Sequence, residues 1–127
     1  MSRVAGTAKN FSKDSSFVTY ESSSATLDFT LSANFSTASN FEYELLDVRL
    51  HLASAPTTSE NFTITLDATR GTPYDVLHYS KDMETVTDIV WIPPEPLYFA
   101  QDDELDFAWD NTDTKEYGLA VRYRRLR

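Results

Sequence analysis

The chain contains no cysteine among its 127 residues, which excludes a disulfide framework, thiolate metal sites and cysteine nucleophiles. Glycine is almost as scarce. Gly6, Gly71 and Gly118 are the three present, too few and too scattered for a phosphate-cradling loop or for the elbow around a nucleophilic serine. The two histidines, His51 and His78, each stand alone in a run of other residues, whereas a cupin-type metal site needs clustered His-x-His, a Glu and a further His. No apolar run approaches 18 residues, so a transmembrane helix is not expected. The first 24 residues are polar and lack the apolar stretch of a signal peptide. Together these absences describe a chain folded in a cytoplasm, and none of them points to a catalyst.

What is present is a β pattern. At 14.4 kDa the chain is the size of one ordinary domain, long enough to bury roughly two-thirds of its unfolded surface in a core of its own. Leu27, Phe29, Leu31, Ala33 and Phe35 alternate with Asp28, Thr30, Ser32 and Asn34, the period of a half-buried strand. Phe41, Tyr43 and Leu45 start a second run that resumes one step out of phase at Leu46, Val48, Leu50 and Leu52. That slip predicts a β-bulge at Leu45–Leu46. Further runs lie at Phe62–Ala68, Tyr74–Ser80, Val86–Ile92, Leu97–Phe99, Leu105–Trp109 and Tyr117–Tyr123, separated by turn residues such as Arg70-Gly71-Thr72-Pro73 and Pro93-Pro94-Glu95-Pro96. A sustained 3.6-residue stripe is lacking, and a single helical turn is expected at most, near Lys81–Thr85. About eight short strands at this spacing predict an all-β fold, one antiparallel sandwich or jelly roll over residues 25–127. Residues 1–24 are expected to be an extended N-terminal arm with no core of its own.

Charge is distributed unevenly. Residues 14–121 hold 20 acidic and 4 basic side chains, a net charge of −16, while seven basic residues lie at the two ends. Such a body repels nucleic acid. The arm carries Arg3, Lys9 and Lys13 beside Phe11 and Phe17, and a freely solvated tail seldom holds such aromatics, so the arm is expected to dock on a protein surface. Arg122, Arg124 and Arg125 alternate with or follow Val121 and Tyr123, which reads either as a positive stripe on one face of the last strand for an acidic partner, another copy of this body included, or as a frayed basic tail that only aids solubility.

Other clusters have plainer readings. Asp102-Asp103-Glu104-x-Asp106, with Asp110 and Asp113, is dense enough to suggest Ca²⁺ but lacks the spacing of an EF-hand loop, and a solvated acidic hairpin accounts for it. With 20 carboxylates some pair always looks suited to acid–base work, yet nothing marks one as desolvated. Trp109 alternates with Leu105 and Phe107 and is expected in the core. Trp91, just before the Pro93-Pro94 break, fits either rim or core, and Tyr74, Tyr79 and Tyr98 are the aromatics expected at the surface, where they suit either a protein interface or the stacking of sugar rings. No cofactor or metal is expected.

The motif Leu97-x-Phe99-x-x-x-Asp103-x-Leu105-x-Phe107-x-Trp109-x-Asn111, followed by Tyr117-Gly118-Leu119-x-Val121, resembles the closing strands of the small jelly-roll virion proteins of tailed bacteriophages. Leu46-x-Val48-x-Leu50-x-Leu52 with Glu60-Asn61-Phe62-x-Ile64-x-Leu66 is similar to their earlier strands. The resemblance implies a non-enzymatic head decoration or cement protein, trimeric, assembled in the bacterial host cytoplasm. Its partners would be its own copies and a major capsid or other virion protein, with no nucleic acid or membrane. Arg3, Lys9, Phe11, Lys13, Phe17, Arg122, Arg124 and Arg125 are the expected contacts. The alternative is a carbohydrate- or receptor-binding module that uses Trp91 and exposed tyrosines.

Overall fold

In a computed structural model the described residues are 16–32, 42–68, 71–100 and 103–125. They form nine strands: β1 (Ser16–Ser23), β2 (Leu27–Ser32), β3 (Glu42–Leu52), β4 (Asn61–Asp67), β5 (Val76–Asp82), β6 (Asp88–Trp91), β7 (Leu97–Ala100), β8 (Glu104–Trp109) and β9 (Tyr117–Arg125). One sheet runs β1-β9-β3, with β6 and β7 both paired to β3, and the other runs β2-β8-β4-β5. All seven pairings are antiparallel. Most connections cross from one sheet to the other, the order of a jelly roll. Because β6 and β7 share one strand position along β3, eight strand positions hold nine strands. Among the described residues no helix is long and apolar enough to cross a membrane.

Alternation decides which residues fill the space between the sheets. Leu27, Leu31, Tyr43, Leu45, Val48, Leu50, Leu52, Phe62, Ile64, Leu105, Phe107, Trp109, Leu119 and Val121 are all buried, the inward positions of their strands. The out-of-phase step in β3 is real. Arg122 pairs with Asp47 and Tyr123 with Leu45, so Leu46 is the extra residue of a bulge that keeps both Leu45 and Val48 inside. A second bulge sits in β5, where Ile64 pairs with Tyr79 and Thr65 with Leu77, leaving His78 extra.

Two details differ from the sequence reading. Residues 16–23, assigned to the arm, are a strand of the larger sheet, in register with β9 from Ser16↔Arg124 to Ser23↔Tyr117. Their alternation is weak in hydrophobicity, and backbone pairing to β9 supplies what the side chains do not signal. Residues 1–15 lie outside the described residues, as do Ala33 and Phe35. The helical turn falls at Thr72–Tyr74, where Gly71 (φ 117°) and Pro73 set it up, whereas Glu84–Thr85 is a non-helical turn after β5.

Candidate interaction edge

The two sides of the sandwich are finished differently. On the β9 side the outward positions of β3 and β9 hold charge. Arg122 donates from Nε (3.0 Å) and Nη2 (2.6 Å) to Asp47 Oδ2. Arg124 donates from Nε to Glu44 Oε1 at 3.0 Å, with Nη2 2.8 Å from the same oxygen. Asp47 is buried, its side chain 5% exposed against 46% for Arg122, and Arg49 approaches its other oxygen at 3.8 Å. The hydrogen bond from Arg122 to Asp47, and then the Coulomb attraction between them, raise the pKa of an already permanent cation. The positive stripe therefore exists and faces outward as alternation predicts, but Arg122 and Arg124 are engaged by carboxylates of their own domain. Sequence reading missed this because only the register tells which acid lies opposite which base.

The remaining expected contacts fall elsewhere. Arg3, Lys9, Phe11 and Lys13 lie outside the described residues. Phe17 is in β1 opposite Tyr123, and Arg125 is in β9 opposite Tyr43.

Among the described residues each sheet ends on both sides in a strand with a single neighbour, β1 and β2 on the β9 side and β5 and β6–β7 on the other. Among the described residues, the large apolar side chains that stand exposed are Tyr74, Val76, Leu77, Val90, Ile92 and Tyr98. Every one belongs to the β5 and β6–β7 side or to the segments bordering it. Leu77, Val90 and Ile92 are 58%, 60% and 65% exposed, values that leave most of each side chain in water. A groove of about 470 Å³ lies between β5 and β6–β7. Leu66, Val76, Trp91, Pro93 and Leu97 give it apolar walls, and His78, Glu95 and Tyr98 stand at it as polar groups. Trp91 packs on Tyr79 with ring centroids 5.1 Å apart, and Tyr79 packs in turn on Phe62 of the core. Pro93, Pro94 and Pro96 explain the gap, because proline cannot donate to the ladder and so splits the β6–β7 position at the groove. Partial burial lowers the pKa of His78, and Glu95 is the acidic residue of the lining. The volume and the mix of apolar walls with a few polar groups are those of a binding groove.

The acidic positions sort into local roles. Asp113 accepts from Thr57 N (2.7 Å), Thr58 N (2.9 Å) and Thr58 Oγ1 (2.7 Å), tying the β3–β4 loop to the β8–β9 turn. The Thr58 hydroxyl first, and then the two amides, hold its carboxyl below the ordinary value. Asp103 caps its own turn, accepting from Ala100 N at 3.1 Å. Asp102 lies outside the described residues. Asp67, Glu104 and Asp106 bring one oxygen each within 4.8 Å of the others, a consequence of the register Thr65↔Asp106 and Asp67↔Glu104, and Thr30 Oγ1 donates to Asp106 at 3.0 Å. Ordinary outward alternation on the smaller sheet accounts for that trio. Trp109 is buried as expected, Tyr74 and Tyr98 are exposed, and Tyr79 is half-buried. His51 is exposed, as its position opposite Leu50 and Leu52 predicts, and its Nδ1 lies 2.7 Å from Asp88 Oδ1. No known protein family matches this chain, and no curated protein does.

Proposed function

We infer that the chain is a non-enzymatic structural protein of a tailed-phage virion, which seats on a shell protein and on copies of itself through the open β5–β7 edge. The observation that carries this is the gathering of six exposed large apolar residues on that one edge. Large apolar side chains left exposed along one side of a small domain suit a protein-binding face. The virion setting rests on the strand pattern that resembles the phage jelly rolls, an analogy of fold. Arm residues Arg3, Lys9, Phe11 and Lys13 remain the second contact of the reading.

Two measurements test it. In light scattering the chain is expected near three times its 14.4 kDa mass, and Val90→Glu with Ile92→Glu is expected to return it to a monomer. Particles purified from a phage-producing culture of the source strain are expected to contain the chain in fixed ratio to the shell protein, by mass spectrometry. A chain absent from such particles overturns the reading.

The groove supports a second reading, because Trp91, Tyr98 and Glu95 all line it, and aromatic side chains with an acceptor in one groove suit sugar rings. A glycan array that lights up with the native chain and goes dark with Trp91→Ala would favour it.

A further inference from the structure

We propose, resting on the assembly reading above, that the outer face of the larger sheet around Gly118, Arg49 and Val90 is the docking surface for a second copy of this chain.

The rows across this face differ from one end to the other. In Arg124↔Glu44 and Arg122↔Asp47 each arginine is held by the acid that the register sets opposite it. The next two rows, Ala120–Arg49–Val90 and Gly118–His51–Asp88, are not closed in this way. Arg49 is 62% exposed and comes no nearer than 3.8 Å to Asp47, whose other oxygen Arg122 already holds. Asp88 is 65% exposed, with His51 beside it equally in water. Val90 stands out from the same face, most of its side chain exposed. Gly118 and Ala120 line a hollow of about 360 Å³ together with Arg49, His51, Asp88 and Val90.

Gly118 is not required by its own domain. Its φ is not positive, unlike that of Gly71, and a Cβ added to it would meet no atom within 4 Å. Glycine inside a strand weakens the strand, and one that serves neither a turn nor a crowded contact leaves room for the close approach of another chain.

Charge selects the partner. The outward positions of the smaller sheet hold Asp28, Asp67, Glu104 and Asp106 and, among the described residues, no lysine or arginine. Two copies meeting there would repel. The outward positions of the larger sheet mix Arg49, Arg122 and Arg124 with Glu44, Asp47 and Asp88. A body of net charge −16 over residues 14–121 therefore meets its own kind at least electrostatic cost on this face. At the hollow an exposed cation, an exposed acid, an apolar knob and an empty space lie side by side. The face is complementary to itself, with Val90 of one copy entering the hollow of the next and Arg49 meeting Asp88, which is the condition for closed symmetric assembly.

Sedimentation equilibrium on the full chain tests this. The native chain is expected at two or three times its 14.4 kDa mass. Gly118→Trp fills the hollow where the fold itself leaves room, and is expected to weaken association about ten-fold or more with the melting temperature kept. Arg49→Gln removes the cation without adding an acid beside Asp47, and is expected to weaken it about three-fold or more. Asp28→Arg, on the outer face of the smaller sheet, is expected to leave it unchanged. A native chain that stays single up to about 1 mM overturns the proposal, as does an association indifferent to both Gly118→Trp and Arg49→Gln or weakened as much by Asp28→Arg. If Val90→Glu with Ile92→Glu dissociates the chain while Gly118→Trp does not, the hollow is overturned and the open edge stands as the interface. None of these measurements reads particle composition, so the virion reading stands or falls separately.

Discussion

The two flanks of this sandwich use the same strand chemistry to opposite ends. On the β9 flank, β9 is paired on both sides, and its outward arginines lie against acids that the register sets opposite them. On the β5–β7 flank no further pairing is seen among the described residues, outward positions hold Leu77, Val90 and Tyr98, and apolar surface meets water. A charged outer row opposite a carboxylate strand is a finished surface, whereas exposed leucine, valine and isoleucine beside unpaired strand edges invite a partner. The bulge at His78 and the proline-split β6–β7 position break the regularity of those edges, a common safeguard against indiscriminate strand pairing. The open flank therefore favours docking of side chains over growth of the sheet.

The largest test of this contrast is truncation. Deleting residues 1–15 removes none of the described strands, while deleting 1–24 strips β1 from β9. The longer deletion is expected to lower the melting temperature by about 10 °C or more, and the shorter one to change it little. Equal melting for the two would mean that β1 contributes nothing to the finished flank.

Next in size is Asn111, a buried polar residue at the end of the sandwich. Its Nδ2 donates to Ala25 O and Lys115 O, both at 2.9 Å, and its Oδ1 accepts from Lys115 N at 2.9 Å. Its φ of 52° suits asparagine better than most residues. Asn111→Ala strands those groups and is expected to cost about 2–3 kcal/mol in chemical denaturation.

The ion pairs on the two flanks sharpen the comparison further. A double-mutant cycle on Asp47 and Arg122 is expected to give a coupling of about 1 kcal/mol, above an exposed pair because Asp47 is buried. The same cycle on His51 and Asp88, both largely exposed, is expected to show none that can be measured.

The smallest effect is with pH. Asp113, Asp82 and Asp88 all have depressed carboxyl pKa values, held down chiefly by hydrogen bonds from Thr58, Ser59 and His51 respectively. A folded-state value below the unfolded one means the native state binds fewer protons. The stability these groups add is complete above the ordinary 3.8 and is lost as pH falls through it toward the lower native values. Melting temperature is expected to drop below about pH 4, and Asp113→Ala to flatten that drop.

Much of this molecule was legible in period-2 alternation, because an inward position on a strand must be apolar for the sheets to close. Val48, Phe62, Leu105, Trp109 and Val121 could be assigned to the core from the sequence, and the slip at Leu45–Leu46 announced its bulge. What alternation could not convey is which strands are neighbours. Arg122 and Asp47 are 75 residues apart, and nothing local marks them as partners. Likewise β1 is a strand because β9 offers it a ladder, with little hydrophobic signal of its own. Val90 and Leu77 read as ordinary strand residues until the sheet order leaves their strands at the open edge. The sequence by itself determined the fold class and the core, since both follow from local period and burial. The tertiary structure alone decided the paired charges, the groove and the exposed edge, because each depends on register between segments far apart in the chain.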